Sequence, residues 1–392
     1  MIRVFPSGEP GEAQKRLAFL GATGDGLERF LRDLRALIVA IPRNARAGSP
    51  PREELLLACI DGKGIPHLRI DAHLLLSVSS IEPVEAARAE SPEGGTLLAQ
   101  VCEALRRYST TRFRVPIPGG ALELSGPPVI MGIVNVTPDS FSDGGSYRSP
   151  GEAVERALAM EEEGAGILDV GGESTRPGSS PVPVAEELRR VIPVVRGLAA
   201  KSRAIVSVDT TKAAVAREAA AAGARIVNDT SALADDPGMA DAVRETGCAV
   251  VLMHRRGTPA TMQRAPHYDS LFDELLGELA ERMEAAVGAG IDRERILLDP
   301  GIGFGKRLMD NLALHRRLPE LRVLGRPVVF GPSRKAFLGT LTDARPERRQ
   351  FGTAASVAAS VLSGAHVLRV HDVKEMREVV QVAAAIRGAE EC

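Results

Sequence analysis

The sequence predicts an α/β protein in which a (β/α)8 TIM barrel follows a smaller α+β domain. From Pro127 onward, short apolar runs that end in polar residues alternate with longer segments rich in Ala, Leu, Glu and Arg at helical spacing. Eight such runs occur, and their polar ends follow one another every ~34 residues on average, which is the size of one βα unit. Eight βα units in about 265 residues match the barrel in both count and size.

The predicted barrel strands are almost continuous in apolar residues, which indicates burial on both faces, as in a parallel sheet covered by helices. A doubly wound open sheet is the alternative, but its common forms have fewer strands. In chain order, the predicted strands are Val129 to Thr137, Ile167 to Gly172, Ala204 to Thr210, Arg225 to Ser231, Cys248 to His254, Ile296 to Gly301, Pro327 to Ser333 and His366 to Asp372.

The chain before the barrel has a different pattern, and residues 1–110 are predicted to form an α+β domain of unknown role. Apolar residues spaced three and four apart between Leu27 and Ile38 predict an amphipathic helix, and a second helix is predicted from Leu97 to Tyr108. Residues 111–392 then form the barrel domain. The remaining predicted elements are strands from Glu53 to Ile60 and Ile65 to Val78, and a hairpin of Arg112 to Ile117 and Ala121 to Ser125.

Composition and charge favour a small-molecule partner over nucleic acid. The chain has 49 Lys and Arg against 51 Asp and Glu, no Trp and three Tyr, whereas nucleic-acid binding favours a basic excess and aromatic stacking surfaces. No stretch reaches the ~18 apolar residues of a membrane span, and the first residues lack the apolar segment of a signal peptide. The four cysteines show no metal or disulfide spacing, so reduced thiols and a cytoplasmic location are expected.

The polar residues that end the predicted strands are candidates for a site, because a (β/α)8 barrel carries its active site at the carboxyl ends of its strands. Any one of them alone is as well explained by a cap at a strand end, and His254 in particular is expected to be structural. Eight strands ending this way in succession favour a site. The candidates are Asn135, Asp169, Glu173, Asp209, Asn228, Asp229, His254, Asp299, Ser333, Lys335, Arg369 and His371.

Read in order, these strand ends lie in motifs that resemble the dihydropteroate synthase family over residues 127–388. The resemblance implies a transferase of folate biosynthesis and a sulfonamide target. Such an enzyme joins 6-hydroxymethyl-7,8-dihydropterin pyrophosphate to p-aminobenzoate, forming 7,8-dihydropteroate and pyrophosphate. The motifs are Met131-Gly-Ile-Val-Asn-Val-Thr-Pro-Asp-Ser-Phe-Ser-Asp-Gly-Gly145, Asp169-Val-Gly-Gly-Glu-Ser-Thr-Arg-Pro-Gly178, Ser207-Val-Asp-Thr210, Asn228-Asp229, Leu298-Asp-Pro-Gly-Ile-Gly-Phe-Gly-Lys306, Ser333-Arg-Lys335 and Arg369-Val-His-Asp372.

The resemblance also implies a role for each matching residue, and the chemistry of the side chains suits those roles. A carboxylate accepts neighbouring N–H groups of a pterin edge, an amide both donates and accepts, and cations stabilise a departing pyrophosphate. The pterin is expected to contact Asp209, Asn228, Met253, Asp299, Phe304 and Lys335. p-Aminobenzoate is expected beside Thr175, Pro177 and Ser333, and pyrophosphate beside Asn135, Arg176, Arg369 and His371. Lys335, Arg369, His371 and Arg176 are the predicted catalytic residues.

The resemblance further implies Mg²⁺ bound at Asn135, whose amide oxygen is a suitable hard ligand, and a homodimer. One departure from the family pattern concerns the fourth loop. After Thr230 and Ser231, this chain has Ala232 and Leu233 where the family usually has two glycines, which leaves the loop conformation open.

Two other functions compete with the synthase. A methyltetrahydrofolate-corrinoid methyltransferase resembles this family in its barrel and pterin site but has no pyrophosphate to bind. The presence of the motif from Met131 to Gly145 and of three cationic candidates, Arg176, Arg369 and His371, therefore argues against it. A non-catalytic pterin-binding scaffold would be marked by loss of Lys335 or of the anion-binding cations, and all of these are present.

Overall fold

The computed structural model describes residues 2–6, 14–19, 57–60, 66–71, 103, 106–108, 110–136, 149–174 and 178–389. The chain divides into two units, one of Met1–Thr111 with Pro319–Gly325 and the other of Arg112–Leu318 with Arg326–Cys392. The helix predicted between Leu27 and Ile38 lies outside the described residues, and of the second predicted helix Glu103 and Arg106 to Tyr108 are described, all of them helical.

The first unit contains a four-stranded antiparallel sheet in the order β1-β2-β4-β3. Its strands β3 and β4 confirm two predictions in shortened form, but β1 and β2 were not predicted. Their sequences are short and mix charged residues with apolar ones, and they become strands by pairing with each other, with Ile2 opposite Phe19. The strands are β1 (Ile2–Pro6), β2 (Gln14–Phe19), β3 (Leu57–Ile60) and β4 (Pro66–Asp71).

The second unit begins with the predicted hairpin, formed by β5 (Phe113–Ile117) and β6 (Gly120–Leu124). Its turn places Gly119 at φ +76°, a left-handed conformation that favours glycine. One face of the hairpin is apolar and buried. It packs in one cluster with residues from the amino-terminal halves of the barrel strands, including Met131, Ile167 and Val367. The hairpin therefore closes the amino-terminal end of the barrel and leaves the opposite end for the site.

Eight parallel strands form the predicted barrel, in the order β12-β11-β10-β9-β8-β7-β14-β13. A parallel bridge between Leu298 and Val328 joins the two ends of this sheet and closes it. All eight predictions are confirmed, each strand being shorter than its apolar run. The strands are β7 (Val129–Asn135), β8 (Ile167–Gly171), β9 (Ile205–Asp209), β10 (Ile226–Asp229), β11 (Ala249–Met253), β12 (Ile296–Asp299), β13 (Val329–Phe330) and β14 (Val367–Val370).

Helices alternate with the strands and cover the barrel. The first shows why they form where they do: the Ser149 hydroxyl accepts a hydrogen bond from the Glu152 N–H, Pro150 follows this cap, and Gly164 ends the helix at φ +113°. The described helices are α1 (Pro150–Glu163), α2 (Val184–Lys201), α3 (Ala213–Ala221), α4 (Met239–Thr246), α5 (Leu271–Gly288), α6 (Leu308–Arg317), α7 (Ala336–Thr342), α8 (Gln350–Leu362) and α9 (Val373–Gly388), with 3-10 turns at Arg293–Arg295, Leu318–Leu324 and Pro346–Arg348. Among them, none is both long and apolar enough to cross a bilayer.

Candidate active site

The carboxyl ends of the barrel strands bring four of the predicted pterin residues together. Asp209 on β9 lies in register with Asn228 on β10, and Asp299 on β12 lies in register with Met253 on β11. All four side chains are buried. Buried carboxylates and amides are costly unless they are paired, so their neighbours decide what this end of the barrel can bind.

Arg369 connects two of the strand-end carboxylates. Its Nε donates to Oδ2 of Asp169 at 2.7 Å, and its Nη2 donates to Oδ2 of Asp209 at 2.7 Å. The same Asp169 oxygen accepts from Nδ2 of Asn228 at 3.0 Å. Asp169 is 0% exposed, so it acts as an internal acceptor that holds Arg369 and Asn228 in place. We call Asp169, Asp209, Asn228 and Arg369 the central network.

The central network leaves acceptor atoms for a ligand. Oδ1 of Asp169 and Oδ1 of Asp209 are both buried and have no hydrogen-bond partner among the described residues. Burial raises the pKa of Asp209 to about 7, against the opposing charge of Arg369 and with further upward contributions from Asp169 and Glu187. A ligand N–H facing Asp209 would favour its ionised form and so strengthen binding.

Asp299 and an apolar wall adjoin the central network. Oδ1 of Asp299 accepts the Gly301 N–H at 2.7 Å, and burial raises the pKa of this carboxyl although Gly301 and the cations of Lys335 and Arg369 oppose the shift. Phe304 packs with Met253 and Met262, and the Lys335 ammonium lies 4.0 Å from the centroid of the Phe304 ring. A flat, partly apolar ligand with N–H groups on its edge fits between such groups.

Ser333 and His371 lie side by side at the ends of β13 and β14. Oγ of Ser333 lies 2.9 Å from Nδ1 of His371 and accepts the His371 backbone N–H at 3.2 Å. The structure therefore joins a residue predicted for p-aminobenzoate to one predicted for pyrophosphate. Arg334, which follows Ser333, has φ +57° and pairs with Asp372, the residue after His371, and this ion pair holds the strained turn.

The loop that follows β8, which we call the second loop, is anchored by three buried or partly buried charged side chains. Oε2 of Glu173 accepts from the Val182 N–H at 2.8 Å and from the Lys212 ammonium at 2.5 Å, and Lys212 also pairs with the fully buried Glu187. Glu173 thus has the structural role of holding the loop. Three predicted site residues between these anchors, Thr175, Arg176 and Pro177, lie outside the described residues. Asn135 lies half-buried at the end of β7.

The loop that follows β10, the fourth barrel strand, keeps a left-handed backbone without glycines. Ala232 has φ +52° and Leu233 has φ +64°, at the positions where glycine was expected. The buried Asp229 compensates by accepting the Ser231 N–H at 2.7 Å and the Leu233 N–H at 2.8 Å. Asp229, a candidate at the sequence level, is therefore used within the loop, and the loop conformation left open by the sequence is a strained turn that this carboxylate holds.

His254 and Lys306 form a second buried cluster, next to the backbone of Phe304. Nδ1 of His254 lies 3.0 Å from Nζ of Lys306, and its Nε2 lies 3.0 Å from Oε2 of Glu278. Burial, reinforced by Lys306, lowers the pKa of His254 to about 4, and burial lowers the pKa of Lys306 to about 7. The structural interpretation of His254 agrees with this geometry. Lys306 was not among the predicted site residues, because nothing in the sequence indicates that a lysine in a glycine-rich loop is buried.

The family model described as "Pterin binding enzyme" matches residues 131–371, which span the strand ends from β7 to His371. The fold and the site thus define a pterin-binding (β/α)8 barrel enzyme.

Individual relatives define the family more narrowly. Dihydropteroate synthase of Escherichia coli K12 is 48% identical over 273 residues, which are 70% of this chain and 96% of the relative. The Yersinia pestis dihydropteroate synthase, solved with a sulfonamide drug, has 44% identity and a TM-score of 0.68 and covers 71% of this chain and 100% of its own. The Xanthomonas albilineans enzyme, solved with 7,8-dihydropteroate, has 46% identity and a TM-score of 0.64 at the same coverage. The chain belongs to the dihydropteroate synthase family.

Proposed function

We propose that the pocket around the central network binds the pterin of 6-hydroxymethyl-7,8-dihydropterin pyrophosphate while the enzyme condenses it with p-aminobenzoate. The observation that carries this assignment is the pair of buried acceptors without partners, Oδ1 of Asp169 and Oδ1 of Asp209, beside Asn228 and Asp299. Pterin N–H groups would satisfy such acceptors and pair with the carboxylates by charge-assisted hydrogen bonds. Phe304 and Met253 would contact the ring face.

In the proposed reaction, the bond between the pterin methylene carbon and the pyrophosphate oxygen breaks, and its electron pair leaves on pyrophosphate. The amine nitrogen of p-aminobenzoate forms the new carbon–nitrogen bond and then loses a proton to water. The cation at Lys335 would stabilise the pterin oxygen, and Arg369, His371 and Arg176 would stabilise the departing anion. Ser333, bonded to His371, would place p-aminobenzoate next to the leaving group, together with Thr175 and Pro177.

Magnesium fits this proposal at Asn135. The Asn135 amide stays partly exposed at the carboxyl end of β7, and an amide oxygen is a hard ligand of the kind Mg²⁺ accepts. The described residues contain no group of three or more His, Cys, Asp or Glu that could hold a metal. Pyrophosphate oxygens and water are further hard ligands of the kind that such an ion accepts. When bound, it would neutralise negative charge on the leaving group.

The assay that tests the proposed function is release of pyrophosphate from pterin pyrophosphate, with and without p-aminobenzoate. We expect release to depend on p-aminobenzoate and to fall sharply in Lys335→Met. The matched control is Lys374→Met, because Lys374 is an exposed lysine on α9. Pterin binding without any pyrophosphate release would instead indicate a non-catalytic scaffold, and transfer of a methyl group from methyltetrahydrofolate would indicate the methyltransferase.

A homodimer is also proposed, through α8 and α9. These helices lie against each other, with Nη1 of Arg387 donating to the Val361 carbonyl at 2.8 Å. Large apolar side chains project from both into solvent: Phe351 is 87% exposed, and Leu362, Val382 and Ile386 are also exposed. A shared apolar face of this kind suits a twofold contact between two copies. Sedimentation should show a dimer that Phe351→Asp dissociates, and a monomeric parent protein would contradict this assignment.

A cytoplasmic location is the last part of the proposal. It is supported by Cys248, which is a buried free thiol, as expected in a reducing compartment. Fractionation of cells that express the full chain tests it.

A further inference from the structure

Lys306 is a buried lysine in the glycine-rich loop that follows β12. Its Nζ lies 3.0 Å from Nδ1 of His254, 3.1 Å from the Phe304 carbonyl oxygen and 3.5 Å from the His254 carbonyl oxygen. The residue is 3% exposed. The charged form of lysine has three N–H donors, and two acceptors on His254, which follows β11, and one in the loop itself take them up. Lys306 therefore ties the loop to the end of the neighbouring strand.

The loop that Lys306 ties is held closely along its length. A Cβ on Gly301 would clash with the His254 carbonyl oxygen, so the loop backbone approaches the residue after β11 at a distance only glycine allows. Further along, the Gly303 carbonyl accepts from Nε2 of Gln263 at 2.8 Å, and the Gly305 carbonyl accepts from the Tyr268 hydroxyl at 3.0 Å. Such a loop has little freedom to move its side chains.

Phe304 is the side chain that this loop presents to the pocket. Its carbonyl oxygen is bound by Lys306 on one side, and its ring contacts Met253 and the ammonium of Lys335 on the other. Displacement of the Phe304 backbone would move the ring and, with it, the position of Lys335. The Lys306 side chain also opposes the rise that burial causes in the pKa of Asp299, so a direct electrostatic effect on Asp299 is the alternative to an effect through Phe304.

We infer that Lys306 is a positioning residue of the pterin pocket, which fixes the Phe304 ring by binding the carbonyl oxygens of Phe304 and His254. This inference rests on the proposed function, because it assumes that the Phe304 ring contacts the pterin. It assigns to the lysine of the glycine-rich loop a role in substrate affinity that does not involve substrate contact.

The test is steady-state kinetics on full-length Lys306→Met, which keeps the length of the side chain and removes its donors. We expect the KM for pterin pyrophosphate to rise by about tenfold to a hundredfold, because small displacements of a binding group are costly, while kcat changes little. The KM for p-aminobenzoate should stay near that of the parent. Lys374→Met, an exposed lysine variant, is the control and should change neither constant.

A double-mutant cycle shows whether the effect passes through Phe304. If it does, Phe304→Ala combined with Lys306→Met should have the pterin KM of Phe304→Ala alone, whereas independent effects would multiply. An unchanged pterin KM in folded Lys306→Met, an equal loss with both substrates, or multiplied effects would overturn the inference. If Phe304→Ala itself leaves the pterin KM unchanged, the proposed pterin pocket is wrong instead.

A second variant covers the case in which Lys306→Met does not fold. Lys306→Gln keeps N–H donors on a shorter, neutral side chain and should fold with a pterin KM between those of the parent and of Phe304→Ala. If circular dichroism shows that Lys306→Gln is also unfolded, Lys306 is required for folding, and the inference that it is a positioning residue is refuted.

Discussion

Arg369 was predicted as an anion-binding residue, but its contacts give a sharper expectation for its removal. In Arg369→Met, two charge-assisted hydrogen bonds of 2.7 Å, to Asp169 and Asp209, disappear while the bulk of the side chain is largely kept. The variant should therefore lose pterin affinity as well as pyrophosphate affinity. Asn228 should also lose its fixed position, because its partner Asp169 is no longer held.

The size of the effect on stability follows from burial. Removing one partner of a buried ion pair costs about 3–5 kcal/mol, because the remaining charge is left without compensation. Here two carboxyls remain, and the pKa of Asp209, already about 7, should rise further. The folded state then binds protons more tightly than the unfolded state, so its stability decreases as pH rises from about 4 through the folded pKa. The loss should be smaller at pH 5 than at pH 8.

Two measurements test this expectation. Urea unfolding of the parent and of Arg369→Met at both pH values gives the stability difference. Calorimetry with 6-hydroxymethyl-7,8-dihydropterin, which lacks pyrophosphate, isolates the pterin site. We expect an affinity loss of about tenfold or more, the equivalent of one hydrogen bond to a charged group at about 1.5–3 kcal/mol. His371→Ala is the comparator and should bind this ligand normally. If Arg369→Met also binds it normally, the central network does not orient the pterin site.

Other expectations follow from the same structure. Asp299→Ala should weaken pterin binding in calorimetry by about tenfold or more, since it removes a charged acceptor; unchanged binding would refute its role. Chelation of divalent cations should abolish turnover, and p-aminobenzoate should bind appreciably only once pyrophosphate and pterin are present; equal affinity for the empty enzyme would contradict this order. A chain that begins near Thr110 keeps the hairpin and should fold and catalyse the reaction, because the E. coli relative is matched over 96% of its length by 70% of this chain. A truncated chain that folds but is inactive would show that residues 1–109 contribute to the active site. Ala232→Gly should lower the free energy of unfolding by less than Ala219→Gly within α3, because both changes remove a buried methyl group but only the first also relieves a left-handed turn; equal losses would show that the turn is not strained.

The sequence by itself determined the barrel and the residue types of the site. The number of barrel strands can be predicted from apolar runs that recur once per βα unit. A strand that is buried on both faces needs continuous apolar residues, whichever strands it pairs with. Motifs such as Ser207-Val-Asp-Thr210 are informative because a carboxylate at a strand end has few chemical substitutes. These features are local, and local patterns can be read from one chain.

Only the tertiary structure decided which side chains pair. Arg369 and Asp169 are 200 positions apart and meet because β14 and β8 both pair with β7, an arrangement that no local pattern encodes. Pairing of β11 with β12 likewise brings His254 to Lys306, and pairing of β13 with β14 brings Ser333 to His371. The sequence left the conformation of the Ala232 turn open for the same reason. Its backbone depends on hydrogen bonds that the Ser231 and Leu233 N–H groups donate to Asp229, and these compensate for a missing glycine. Periodicity specifies which residues are buried, whereas the partner of a buried charge depends on the three-dimensional path of the whole chain.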